Sequence, residues 1–431
     1  MLMGMVLPSC GEELSPVIEP VKAPFEIRQF SRNVFPDYTK KVRKSKNAGR
    51  AIQAAIDKVA AKGGGHVVIP EGVWQTGRLI LRSNVDLHLE EGAELHFSGE
   101  VKDYLPVVLT RNEGIDLYSL GAMIYANGEE NIAVTGKGKL VAPSRQCELS
   151  RRQYHSVVEG IEDKPLEERI FDGSNGEDIY MPEFFGPINC KNVLVEGVTF
   201  EKSIFWNICP TYCEGIIIRG VTVSSAGIGR TDGIDIDSSR DALIEYTTLD
   251  CGDDCFTLKS GRGKDGFRKA RPTENVVIRH CKVIGGAGGI TIGSETAAMV
   301  RNVYAYDCEM ENPSRAFYIK TRRPRGGGGE NCWFEDIRIK SVKSCVFGFD
   351  MLGSSKYVGD LAKRYPPQPV TEMTPVFRNM HFKNITVDSC EQLVTAIGLP
   401  ESPITNVTLD NITSPCHKMK LQDVDMETCR F

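Results

Sequence analysis

The sequence predicts an all-β solenoid, a right-handed parallel β-helix closed at its N-terminal end by a capping helix. Two observations carry that expectation. A phrase recurs along the chain, in which a polar residue precedes an alternating strand, a small residue and a second strand, as in KNVLVEGVTF, EGIIIRGVTV, ENVVIRHCKVI and RNVYAYDCEM. Successive starts at Asn192, Gly215 and Asp241 are 23 and 26 residues apart, too close for a propeller blade and too rich in strand for helical repeats. A coil of this length alternates its side chains in and out and cannot bury its apolar side alone, so it must stack on its neighbours. The leucine-rich repeat is the nearest alternative, and its leucine consensus is missing.

In chain order, MLMGMVLPSC is apolar and is similar to the tail of a bacterial lipoprotein signal, with Cys10 as the lipid-bearing residue and an extracytoplasmic location as the consequence. Residues 1–23 are read as leader and tether, and residues 24–431 as one β-helix domain. From Asn47, NAGRAIQAAIDKVAAKGGG has helical apolar spacing and stops at three glycines, which makes it the capping helix. HVVIPEGVW, RLILRS and VDLHLEEGAELHF then begin the strands. No Pro/Ser-rich linker or composition shift interrupts them. Insertions at 143–182 and 351–375 are rich in charge and loop formers, and in a solenoid such insertions wall one face.

Composition excludes several classes. The 431 residues are 41% hydrophobic and 25% charged, within the range of globular proteins, and the net charge of −5 gives no electrostatic case for nucleic acid. No run reaches the roughly 18–20 apolar residues that span a bilayer. The 14 cysteines fit neither a zinc ribbon nor a compact disulfide framework; several, such as Cys281, Cys308 and Cys332, fall on strands and are expected as buried thiols stacked in the core rather than as disulfides.

The densest carboxylate cluster is RTDGIDIDSS at 230–239 followed by DCGDDCFTLKSG at 250–261. Coils stack about 4.8 Å apart, and Asp232 and Asp253 are one coil length apart (253 − 232 = 21 residues), so they are expected as neighbours. Hydrolysis of a glycosidic bond needs a carboxylic acid at the departing oxygen and a carboxylate that activates water or attacks the sugar. Asp232, Asp253 and Asp254 supply both, and crowding of like charges keeps one of them protonated. Asp253 and Asp254 would point to opposite faces of a regular strand, but Gly252 suggests a bend that turns both to the groove. Asp235 and Asp237 read as strand-end residues satisfying turn amides. Calcium is a weaker reading of the cluster; no metal or cofactor is expected.

These residues resemble glycoside hydrolase family 28, which includes polygalacturonases and rhamnogalacturonan hydrolases, from about residue 24 to the end. Thr231, Asp232 and Gly233 match its Asn-Thr-Asp-Gly motif, with Arg230 replacing the asparagine, and Gly252, Asp253 and Asp254 match Gly-Asp-Asp. The resemblance implies an inverting hydrolysis of α-galacturonosyl linkages, with Asp253 as acid and Asp232 and Asp254 holding and deprotonating a water; inversion leaves roughly 6.5–9.5 Å between carboxylates. Two motifs depart from the pattern. Ala287 stands where a histidine is usual, and Tyr318-Ile319-Lys320 replaces Arg-Ile-Lys. Tyrosine cannot imitate the arginine fork, so the rhamnogalacturonan backbone stands beside plain galacturonan as substrate. The basic segment after the aspartates resembles exo-acting members.

Candidate substrate-binding residues are Lys259, Arg262, Tyr318, Lys320, Arg322 and Trp206. Lys264, Arg268, Lys269 and Arg271 read either as further carboxylate receivers or as a solvated loop, and Arg323 and Arg325 either as a mobile cationic wall or as a charged turn. Phe205 and Trp206 suit sugar stacking or the core, and His280 reads as structural. A pectic polymer is the expected partner of a monomeric protein. The rivals are a β-helical pectin lyase, which uses a base and usually calcium and yields an unsaturated product, and a non-catalytic carbohydrate-binding solenoid.

Overall fold

The computed structural model describes residues 14–154, 156–158, 160–174 and 178–431, with Tyr357 described by its backbone alone. Cys10 lies outside the described residues. The chain winds as a right-handed parallel β-helix. One ladder runs through Val85–Leu89, Glu130–Gly136, Lys191–Glu196, Glu214–Arg219, Arg240–Glu245 and Thr273–Arg279. A second runs through Ala93–Phe97, Lys139–Val141, Thr199–Glu201, Thr222–Ser224 and Thr248–Asp250. The third carries Ile234–Asp237, Phe256–Lys259, the ends of Lys282–Ile292 and Val300–Lys320, Cys345–Asp350 and Val394–Ile397.

The recurring polar residue has a physical cause. Asn131, Asn192, Asp241, Asn275, Asn302, Asn331, Asn379 and Asn406 all have φ between 50° and 58°, the left-handed corner that Asn and Asp tolerate better than other side chains. Their amides stack from coil to coil: Asn275 donates to Asp241 at 3.1 Å, Asn302 to Asn275 at 3.0 Å and Asn406 to Asn379 at 2.8 Å. The strand after each corner is thereby held in register. Ile132, Val193, Ile216, Ala242, Val276, Val303, Cys332, Met380 and Val407 then fall in one buried column. Burying such an aliphatic side chain stabilises by about 1.5–3 kcal/mol, so the stack rewards each added coil.

The capping helix is Ala48–Ala60; the Asn47 side chain accepts from Arg50 N at 3.0 Å, and Ile52, Ile56 and Val59 close the end of the core. All 13 described cysteines are free thiols, and Cys281, Cys308 and Cys332 are buried as expected.

The expected boundary at residue 23 falls inside a packed strap. Ile18, Val21 and Phe30 cover Leu194, Ile217 and Leu243 on the outer face of the first ladder. Arg219 Nη1 donates to Ser15 O at 3.0 Å and Arg279 Nη2 to Glu19 O at 2.8 Å. Residues 15–23 therefore pack against the solenoid, because that ladder presents apolar side chains outward that need a cover.

On the third face, three excursions interlock. The antiparallel pair Val108–Asn112 and Ile115–Ser119 meets helix Gly263–Lys269 and the insertion at 143–182. Arg169 pairs with Asp265 at 2.6 Å, Lys264 with Asp163 at 2.7 Å, and buried Arg111 with Asp116 and Asp237, each at 2.9 Å. Together they build a wall at one side of the carboxylate cluster.

Candidate active site

Strand Ile234–Asp237 lies in register with Phe256–Lys259, so that Ile234, Ile236, Phe256 and Leu258 fill the interior while Asp235, Asp237, Thr257 and Lys259 point out. The two aspartate loops precede these strands and lock to one another: Gly233 N donates to Asp254 O at 2.9 Å and Gly252 N to Thr231 Oγ1 at 3.1 Å. Gly252 is required for packing, since a Cβ there would stand 1.8 Å from Ile228 O. Asn207 donates its main-chain N–H and its Nδ2 to Asp232 O, each at 2.9 Å. The expected adjacency of Asp232, Asp253 and Asp254 is therefore what the coil stacking produces.

Their environments differ. Asp253 is partly exposed, its carboxylate accepts from Asp254 N at 3.0 Å, and its main chain is held by Ala287 N at 2.9 Å. Asp254 is buried, with Oδ2 at 2.6 Å from Lys320 Nζ and Oδ1 without a hydrogen-bond partner. Burial and the neighbouring Asp254 push the Asp253 carboxyl up, against the pull of Lys320 and Lys259. Burial and Asp235 push Asp232 up as well. Both shifts favour the protonated form, the direction an acid catalyst needs.

Lys259 sits at the centre of this cluster. Its ammonium is 3.5 Å from Asp232 Oδ2, 3.4 Å from Asp235 Oδ1 and 3.2 Å from Glu295 Oε2, under the Trp206 ring at 4.5 Å from the centroid. Lys259 was expected to meet substrate, and Trp206 either to stack on a sugar or to serve the core. Lys259 is instead committed to three internal carboxylates, and Trp206, only 5% exposed, roofs it rather than offering a sugar platform. Phe205 is likewise buried, stacked on Trp206 with Arg230 over its other neighbourhood at 4.8 Å.

The cations divide into paired and unpaired. Arg262 reaches Glu113 at 3.6 Å and Arg230 reaches it at 3.1 Å, so the hairpin tip is pinned beside the aspartate loops. Lys264 pairs with Asp163, Arg268 with Asp265 and Lys269 with Asp116, while Arg271 donates to Tyr212 O at 3.1 Å. Lys264, Arg268 and Lys269 are thus paired within the wall, while Arg271 is held by a carbonyl and the Tyr212 ring. Arg323 pairs with Glu401 and Arg325 with Glu295, which favours the charged turn over the mobile cationic wall for this segment. Arg322 has no carboxylate within ion-pairing distance among the described residues, and burial lowers its pKa. Lys320 and Tyr318 face the groove side by side, the ammonium 4.6 Å from the ring centroid. His280 is structural, paired with Asp307 at 2.7 Å and stacked on Tyr246.

Asp235, Asp237, Glu295 and Glu113 were not singled out for the site. Asp235 lies inside strand Ile234–Asp237, whereas Asp237 ends it and accepts from Gly261 N at 3.2 Å, as a strand-end residue does; both are fully buried, and the alternation DGIDID, which places them beside Lys259, was the available signal. Burial pushes Asp235 up to about 7, against Lys259. The folded chain therefore keeps, between the ordinary value of 3.8 and about 7, a proton that the unfolded chain has released. This contribution to stability is present at low pH and is lost as pH rises through that window. Asp235→Asn is expected to flatten the fall in melting temperature across it, as differential scanning calorimetry at a series of pH values would show; an unchanged slope counts against a protonated Asp235.

A parallel β-helix that carries a carboxyl of raised pKa beside further carboxylates has the equipment of a glycoside hydrolase. The chain belongs to glycosyl hydrolases family 28, whose model matches residues 172–429. A probable polygalacturonase of Vitis vinifera is 25% identical over 386 residues, covering 84% of this chain and 70% of that protein. An exo-poly-alpha-D-galacturonosidase of Dickeya chrysanthemi is 25% identical over 318 residues, covering 68% and 52%. Among solved structures, a hyperthermoactive exopolygalacturonase from Thermotoga maritima superposes with a TM-score of 0.77 at 32% identity, over 90% of this chain and 88% of that one.

Proposed function

We propose that this protein is an exo-acting galacturonidase that removes galacturonic acid from the ends of pectic chains by an inverting mechanism. Asp253 donates the proton to the departing oxygen, while Asp254 and Asp232 hold and deprotonate the attacking water. The observation that carries the reading is the contrast between a partly exposed Asp253 with a raised pKa and the buried Asp254, which Lys320 holds at 2.6 Å. Lys320, Tyr318 and Arg322 line the groove for the sugar.

Exo action is supported by the wall. Glu113, paired to Arg230 and Arg262, and the hydrogen bond from Arg262 N to Gly114 O at 3.1 Å carry the hairpin across one side of the aspartates. A wall on one side of the aspartates suits a chain end better than a continuous polymer. The relatives from Dickeya and Thermotoga are exo enzymes by name. Attack on a pectic polymer goes with extracytoplasmic action by a monomer, with lipid at Cys10 as the anchor.

The experiment is digestion of polygalacturonan and, separately, of rhamnogalacturonan oligosaccharides, with products resolved by mass and ultraviolet absorbance. Saturated monomeric galacturonate from polygalacturonan is expected. Release from the rhamnogalacturonan alone selects the second reading, which Tyr318 in place of the motif arginine favours. An unsaturated product makes the protein a lyase, and no product makes it a binding solenoid. Chelation is expected to leave the rate within about twofold, because a carboxylic acid and a carboxylate suffice for the hydrolysis; full loss restored by calcium points to a lyase instead.

A further inference from the structure

We propose that Arg315 takes over the task of the arginine missing at position 318 and binds the carboxylate of the uronate sugar. The proposal rests on the reading of the groove as a galacturonate site. Arg315, Tyr318 and Lys320 lie on one strand, Val300–Lys320, and Arg315 is in register with Gly288 on one neighbour and Cys345 on the other. Its guanidinium lies 4.3 Å from the Tyr318 ring centroid. An aromatic face holds a planar guanidinium without consuming its N–H edges; Arg315 also hydrogen-bonds Cys345, whose thiol burial pushes up, so this partner does not compensate the charge.

Two glycines make room for this arrangement. Gly348 is paired with Tyr318 across the ladder, and a Cβ at Gly348 would stand 3.2 Å from Arg315 Cδ and 3.3 Å from Phe317 O. A side chain there would push the arginine stem off its course. At Gly288, a Cβ would stand 2.8 Å from Asp254 Oδ1 and 3.4 Å from Tyr318 Cβ. The catalytic cluster and the Tyr318 platform therefore border the same gap, and Arg315 reaches over that platform.

The charge is also available. Arg111, Arg230, Arg262, Arg323 and Arg325 each have a carboxylate partner. Among the described residues no carboxylate pairs with Arg315, which is partly exposed. With Lys320 4.6 Å from the same ring, Tyr318 carries two cationic groups. The loss of arginine at 318 moves the fork three residues back along the strand rather than abolishing it.

The test compares inhibition by methyl α-galacturonoside and by methyl α-galactoside, which lacks the carboxyl, during turnover of trigalacturonate. The parent protein is expected to prefer the uronide by about 10- to 100-fold, the worth of a charge-assisted hydrogen bond. Arg315→Gln is expected to erase the preference and to raise KM for trigalacturonate more than it lowers kcat, and Arg315→Lys to fall between. Melting temperatures report whether each variant is folded, and the lysine variant keeps the test alive if the glutamine variant is not. A preference that survives Arg315→Gln, or an equal weakening of both inhibitors, overturns the proposal. If the parent releases no galacturonate from trigalacturonate, the substrate reading itself fails, and this assignment with it.

Discussion

Asp253→Asn is expected to lower kcat on oligogalacturonate by about 10²- to 10⁴-fold, the usual contribution of a positioned general acid, while substrate binding changes little. Asparagine keeps the shape and can still accept from Asp254 N, the 3.0 Å contact that orients the side chain. It has no acidic proton to give. Burial and then Asp254 raise the pKa of Asp253, which favours retention of the proton that the acid must deliver. Two readouts separate an acid from a mere structural residue. An aryl galacturonoside with a good leaving group needs little protonation, so the defect should shrink sharply on it. The alkaline limb of the kcat profile, which reports loss of the acid proton, should vanish. A defect of equal size on both substrates assigns the acid role elsewhere.

Much of this was legible in the sequence because the solenoid repeats its physics. The left-handed corner that opens the first ladder in each coil holds Asn, Asp or Gly, and the strand after it alternates, so the phrase starting at Asn192, Gly215 and Asp241 announces a coil that the stacking then confirms. The same arithmetic brought Asp232 beside Asp253. What stayed hidden is long-range and covers the outer face. Lys259 has an outward position by alternation, yet Trp206 from the preceding coil and Glu295 from the next enclose it. The basic segment 262–271 reads as a receptor for anions until the insertion at 143–182 and the hairpin tip supply Asp163, Asp116 and Glu113 as its partners. Arg315 gave no motif signal at all, since its role depends on a tyrosine three residues on and on the glycine across the ladder.

Lys259→Met is expected to destabilise the protein by about 3–5 kcal/mol, the cost of breaking a buried ion pair and leaving its partner charges uncompensated. The side chain is only 4% exposed and faces Asp232, Asp235 and Glu295 within 3.5 Å. Methionine fills much of the space beneath Trp206, so the packing loss is small and the electrostatic loss dominates. The sign of the pH dependence follows from which charge is removed. Lys259 pulls the pKa values of both Asp232 and Asp235 down; without it they rise further, the carboxylates take up protons at low pH, and the damage is relieved there. Melting measured at pH 5 and pH 8 should therefore show the larger deficit at pH 8. Activity should respond in the same sense. The acid limb of kcat, which requires an ionised base in the cluster, should move to higher pH as Asp232 holds its proton more tightly. A deficit independent of pH, with the acid limb unmoved, would make Lys259 a packing residue and remove it from the machinery that sets the charge of the aspartates.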